Sequence, residues 1–203
     1  MIENILLLSG SPGTGKTTIA KFLSEKSGVD VISLSPLVKI QNLYDEVDEE
    51  RDTKIVDEKR LKEYIQAYIQ KHKGDLIIEG HYADLIDHPS VSAAIVLRCH
   101  PLELEKRLSS RGYSKEKVEE NIQAELVGSC TSYMLEHNSL PEQDMYEIDT
   151  THNSIQIISE IVYLVLKKNK KLAKNVSEKT KLLKIGTVSW LSDQSVPSRF
   201  FLT

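Results

Sequence analysis

The stretch "LLLSGSPGTGKTTIAKFL" at residues 6–23 places three glycines, a proline and a lysine between an apolar run and a helix-like pattern. Asn4 to Ser9 reads as a buried strand. From Thr17 onward Ile19, Phe22 and Leu23 fall on one helical face, until Gly28 stops the pattern. The segment between is therefore a loop facing a helix start. Glycines at 10, 13 and 15 let it bend tightly and expose consecutive backbone N–H groups, which with the positive end of the helix dipole make a concave anion site. The spelling Gly10-x-x-x-x-Gly15-Lys16-Thr17 meets the full phosphate-cradling motif in the strand-loop-helix setting that motif requires. Lys16 is expected to reach terminal phosphates and the Thr17 hydroxyl to ligate Mg²⁺. Gly13, Thr14, Gly15, Lys16, Thr17 and Thr18 are the expected ATP-binding segment.

At 203 residues the chain is long enough for one α/β domain with a substantial core and a small insertion or tail. Its net charge of −4 offers no global basic field for nucleic acid, so phosphate binding must rest on locally focused positive charge. Cys99 and Cys130 form no CxxC pair, which argues against a zinc finger or a disulfide framework. No apolar run approaches the roughly 18 residues of a membrane span, and Met1 leads directly into the first strand. A soluble, cytoplasmic protein without membrane contact is expected.

Four further apolar runs read as strands: "VDVIS" (29–33), "DLIIEG" (75–80), "AAIVLR" (93–98) and "MYEID" (145–149). Alternating with helices, they predict a five-stranded parallel sheet flanked by helices, with ligands at the carboxyl ends of the strands, where Glu79, Arg98 and Asp149 occur. An acidic stretch follows the second strand and leads into a helix whose Leu61, Ile65, Tyr68 and Ile69 share one side. Pro101 to Ser110 reads as a helix, and a long one is expected from about Ser114 to His137 with Val118, Ile122, Leu126 and Val127 inward. The last helix spans about Ser154 to Lys167. A lysine-rich linker follows, and the apolar cluster "IGTVSW" with Phe200 and Phe201 is expected to fold back onto the body. His72, His88, His100 and His137 carry no motif and read as surface residues.

The order "GSPGTGKTT", "LSPLVKIQNLYDE", "IIEGHY", "VLRCHPLELEKRLSSRGYSKEKVEENIQAEL" and "IDTTHNS" resembles the atypical adenylate kinases of the isoenzyme 6 type, over about residues 1 to 165. "GTVSW" also looks like the tail ending of archaeal members. The resemblance implies a P-loop NTPase fold of the nucleoside-monophosphate kinase kind. Residues 1–167 would form the kinase domain, with an acceptor-binding insertion at about 33–56 and a lid at about 107–117, followed by a linker and tail at 168–203. It implies transfer of the ATP γ-phosphoryl group to AMP to give two ADP, together with ATPase activity. In eukaryotic members it implies help to small ribosomal subunit maturation through a ribosomal protein, so a ribosomal protein or ribosomal RNA is a candidate partner.

The resemblance also assigns residues. Arg111, in the RGY motif, is implied to contact ATP; Arg107, four positions earlier, would share its helical face and close with it onto the phosphates if the helix continues. Glu79-Gly80-His81 stands where the family has Asp-x-His, whose acid holds Mg²⁺ through water and whose histidine lies near the reaction centre. Lys39 stands where an arginine usually meets AMP, keeping the charge but losing the bidentate fork. Ser35-Pro36 replaces a usual Gly-Asp pair, and His152 occupies the position of an ATP contact. Two other readings compete. One is an ATP-hydrolysing assembly factor of the small ribosomal subunit. The other is a kinase of another small metabolite such as a sugar or shikimate, for which Asp45, Asp48 or Asp57 would activate a hydroxyl.

Overall fold

A computed structural model describes residues 2–48, 53–168 and 182–201 of the chain. The strands run β1 (Ile2–Gly10), β2 (Asp30–Ser33), β3 (Tyr44–Asp48), β4 (Thr53–Val56), β5 (Gly74–Glu79), β6 (Val91–Arg98), β7 (Met145–Asp149) and β8 (Leu182–Lys184). Between them lie helices α1 (Lys16–Ser27), α2 (Leu34–Ile40), α3 (Glu58–Lys71), α4 (Pro101–Ser110), α5 (Lys115–Leu126), α6 (Ser129–His137) and α7 (Ile155–Leu166).

β1 is apolar at every position from Ile5 to Leu8 because both of its faces are covered. Successive side chains point to opposite faces, so Leu6 and Leu8 join Ile19 and Leu23 of α1 and Ile161 of α7, while Ile5 and Leu7 join Leu61 and Ile65 of α3 and Met134 of α6. The main sheet has the order β2-β5-β1-β6-β7-β8. The five expected strands are all present and parallel. A sixth, β8, pairs antiparallel with β7 and was not legible because it is short and lies beyond the lysine-rich stretch. The register sets Leu8 opposite Glu79, Gly10 opposite Leu97 and Arg98 opposite Asp149, so the carboxyl ends of β1, β5, β6 and β7 gather at one edge.

Several expectations are corrected. The acidic stretch holds a hairpin, β3 with β4. Its apolar residues are few, and Ile55 is 51% exposed, so no buried face announced it. The long helix after Ser114 is two helices, because Gly128 takes φ 67 and breaks the run between α5 and α6. Val127, expected inward, therefore caps α5 and lies in solvent. Tyr68 sits at the margin of the α3 apolar face, stacked on His72. His72 and His100 are not surface residues. The His72 side chain is buried within 3.7 Å of Asp30, and His100 caps α4 by accepting from the Leu102 N–H.

The C-terminal segment does fold back: Trp190, Val196 and Phe200 are buried against Leu104 and Leu108 of α4 and Ile122 of α5, but Phe201, expected to join them, is exposed. The lysine-rich linker at residues 169–181 lies outside the described residues. No helix among the described residues is long and apolar enough to cross a membrane.

Candidate active site

The phosphate loop joins β1 to α1 at the gathered strand ends. Gly10 must be glycine, since a Cβ there would stand 2.4 Å from the Leu97 carbonyl oxygen and its φ is 139. α1 begins on Gly15 with no side-chain cap and no acidic residue in its first turn. Its free N–H groups and dipole are thus left for an anion.

A cleft of about 230 Å³ opens above this helix start. Gly13, Gly15, Lys16, Thr17 and Thr18 form its floor. Ser35 and Pro36 of α2 form one wall, with Glu79 at the end of β5 and His81 just beyond it; Arg111 and Tyr113 form the other. Lys16 is half-buried with its ammonium turned under the loop, donating to the Gly10 carbonyl at 2.6 Å and the Ser11 carbonyl at 3.1 Å. Burial lowers its pKa, the Arg111 charge adds to that, and Glu79 and Glu125 oppose it. An anion in the cleft would favour the charged lysine for the same reason.

Buried Glu79 accepts a hydrogen bond from the Thr17 hydroxyl at 3.0 Å. A hydroxyl and a carboxylate oxygen are hard donors of the kind Mg²⁺ takes, and that ion commonly uses one or two protein oxygens with substrate phosphates completing its shell. The pair therefore fits the implied metal. His81 is partly buried, with its Nδ1 3.5 Å from the Cys130 thiol sulfur. Burial lowers its pKa, and the Lys16 charge pushes the same way. The imidazole is thus neutral near neutral pH.

The remaining expected residues lie elsewhere. Thr14 is fully buried beneath the loop, its hydroxyl donating to the Ser11 carbonyl at 2.8 Å. Arg107 does not line the cleft: α4 ends at Ser110 with Arg111 as its C-cap, and the Arg107 guanidinium lies behind the loop, with Nη1 3.5 Å from the Gly13 carbonyl oxygen. Arg107 is instead held by Glu103 at 3.0 Å and donates to the carbonyls of Thr150 and Thr151, which ties α4 to the loop after β7. His152 is exposed in that loop and Lys39 is exposed on the last turn of α2; neither lines the cleft. Asp57 is occupied in capping α3, where it accepts from the Arg60 N–H. Arg98, at a strand end, is buried behind the loop rather than in the cleft. Tyr113, Ser11 and Glu125 were not singled out from sequence. The signal for Tyr113 and Glu125 was present in the RGY segment and its continuation to "AEL".

Comparison with known proteins agrees with this geometry. A family model described as an AAA domain matches residues 6–128. A protein of Methanocaldococcus jannaschii named "Putative adenylate kinase" is 37% identical over 176 residues, spanning 86% of this chain and 92% of its own. A Caenorhabditis elegans protein named adenylate kinase isoenzyme 6 homolog is 36% identical over 124 residues, 61% of this chain and 68% of its own. The structure of a thymidylate kinase from Candida albicans superposes with a TM-score of 0.51 at 16% identity, covering 83% of this chain and 92% of that one, a likeness of fold alone. With the phosphate loop, the Glu79-x-His81 pair and the Arg111 wall meeting in one cleft, the chain belongs to the adenylate kinases of the isoenzyme 6 type, a family of P-loop nucleoside-monophosphate kinases.

Proposed function

We propose that the chain transfers the γ-phosphoryl group of ATP to AMP, giving two ADP. The observation that carries this reading is the single cleft in which Lys16, Thr17, Glu79, His81 and Arg111 converge at the α1 N-terminus. A phosphate monoester is already anionic, so its attack on the γ-phosphorus needs no strong base; it needs alignment and positive charge. Lys16, Arg111 and the loop N–H groups supply that charge around the transferred group. Thr17, and Glu79 through water, would hold Mg²⁺, which when bound neutralises charge on the β- and γ-phosphates. The α2 wall at Ser35 and Pro36 faces the loop and suits the acceptor side, with Lys39 on the same helix as a cation for the AMP phosphate. AMP is favoured as acceptor by the names of the archaeal relatives.

ATP hydrolysis is a second activity supported by one observation: His81 lines the cleft as a neutral imidazole, able to orient a water molecule. The test of both is ADP formation from Mg-ATP with AMP, CMP, UMP, GMP or shikimate, beside a control without acceptor. A rate that rises strongly and selectively with AMP is expected. An equal slow rate with every acceptor and with none would leave hydrolysis alone.

A further inference from the structure

The buried charges behind the phosphate loop are completed by the far C-terminus. Arg98 at the end of β6 is 2% exposed and donates to Glu125 of α5 and to Glu147 of β7, each at 2.7 Å. One guanidinium between two carboxylates leaves an excess of negative charge away from water, so the remaining lone pairs need well-placed donors. The Cys99 N–H donates to Glu125 Oε1 at 3.1 Å and the Thr131 hydroxyl to Glu147 Oε1 at 2.7 Å, and the C-terminal segment provides further donors. The Val188 N–H donates to Glu147 Oε2 at 2.7 Å, the Val188 carbonyl accepts from Arg98 Nη1 at 3.1 Å, and Trp190 Nε1 donates to Glu125 Oε1 at 3.1 Å. Trp190 is itself seated by burial and by a T-shaped contact with the His100 ring.

The second oxygen of Glu125 reaches the phosphate loop. Ser11 Oγ donates to Glu125 Oε2 at 2.7 Å, both residues being 1% exposed. The Ser11 carbonyl in turn accepts from the Thr14 hydroxyl and from Lys16 Nζ. A continuous run of hydrogen bonds therefore passes from Trp190 through Glu125 and Ser11 to Lys16. We infer that the C-terminal segment around Val188 and Trp190 is part of the support of the nucleotide site, with Trp190 a positioning residue that acts through Glu125 on Ser11 and so on the shape of the phosphate loop. This rests on the reading of residues 10–17 as the cradle of the ATP phosphates.

Trp190 is the chain's single tryptophan, so its emission reports this contact without interference. ATP is titrated into the full-length chain and its Ser11→Ala and Lys16→Ala variants, followed by tryptophan emission and by calorimetry. In the unmodified chain the emission is expected to shift with the same midpoint as the heat. Ser11→Ala, which cuts the same run of contacts at the loop, should bind ATP about fivefold more weakly by calorimetry, and its emission response at saturating ATP should fall to a small fraction. Trp190→Phe, which keeps an aromatic ring but removes the five-membered ring with its N–H, should melt cooperatively and bind ATP about fivefold more weakly. An undiminished emission response in Ser11→Ala, or unchanged ATP affinity in a folded Trp190→Phe, overturns the role of the C-terminal segment. Undiminished ATP binding in Lys16→Ala overturns instead the phosphate-loop reading on which it rests.

Discussion

The Thr17 hydroxyl and the Glu79 carboxylate are joined by a 3.0 Å hydrogen bond in the cleft, linking the first turn of α1 to the end of β5. The longer glutamate side chain, standing where the family has aspartate, thereby reaches the hydroxyl directly. Glu79→Ala should lower Mg-dependent phosphoryl transfer about 10- to 100-fold, the range for loss of a group that orients a metal ligand. Glu79→Asp should keep most of the activity. Steady-state rates at several Mg²⁺ concentrations check this, and an alanine variant as active as the parent would remove Glu79 from metal holding.

Lys39 faces solvent on the last turn of α2, outside the cleft wall. If closure of the α2 region brings it to the acceptor, Lys39→Ala should raise KM for AMP about tenfold, as for loss of one charge-assisted hydrogen bond, and leave KM for ATP unchanged. Lys39→Arg should lower KM for AMP, because a guanidinium can grip phosphate with two parallel bonds. A KM for AMP that ignores both changes would place acceptor recognition elsewhere.

Burial and the Lys16 charge hold the His81 imidazole below its ordinary value of 6.5. The unfolded chain therefore binds a proton there more readily than the folded one, and stability rises with pH across this window. The contribution is complete above pH 6.5 and is lost as pH falls through the lowered value of the folded state. His81→Gln should flatten this part of the acid limb in urea-unfolding measurements between pH 7 and 5. An acid limb identical to that of the parent chain would show that other groups govern it.

Arg98 draws Glu125 and Glu147 together in the interior, and burial, which alone would weaken its charge, is more than offset by those two carboxylates. Arg98→Met leaves both acids buried without their cation, and should cost about 3–5 kcal/mol in denaturant unfolding. A loss comparable to that of an ordinary surface substitution, about 0.5 kcal/mol, would mean that solvent reaches this network.

The sequence by itself determined the five parallel strands of the main sheet and the edge at which the phosphate loop lies. Gly10, Gly15, Lys16 and Thr17 fall within one short stretch of the chain, and the apolar runs that become β1, β5 and β6 are buried on both faces, so local pattern carries their information. Glu79, His81 and Arg111 were also legible, through the short motifs that carry the family resemblance; the end of β5 brings the first two to the cleft and the C-terminus of α4 brings Arg111. Only the tertiary structure decided what Arg107 and Arg98 do. In sequence, one stands at a strand end and the other just before the RGY motif, yet Arg107 braces the loop after β7 and Arg98 is sealed between two acids. It also decided that Trp190 and Ser11 share a single carboxylate. A buried charge takes its partners from whatever the packed elements bring within about 3 Å, at any separation along the chain, and no local pattern records that choice.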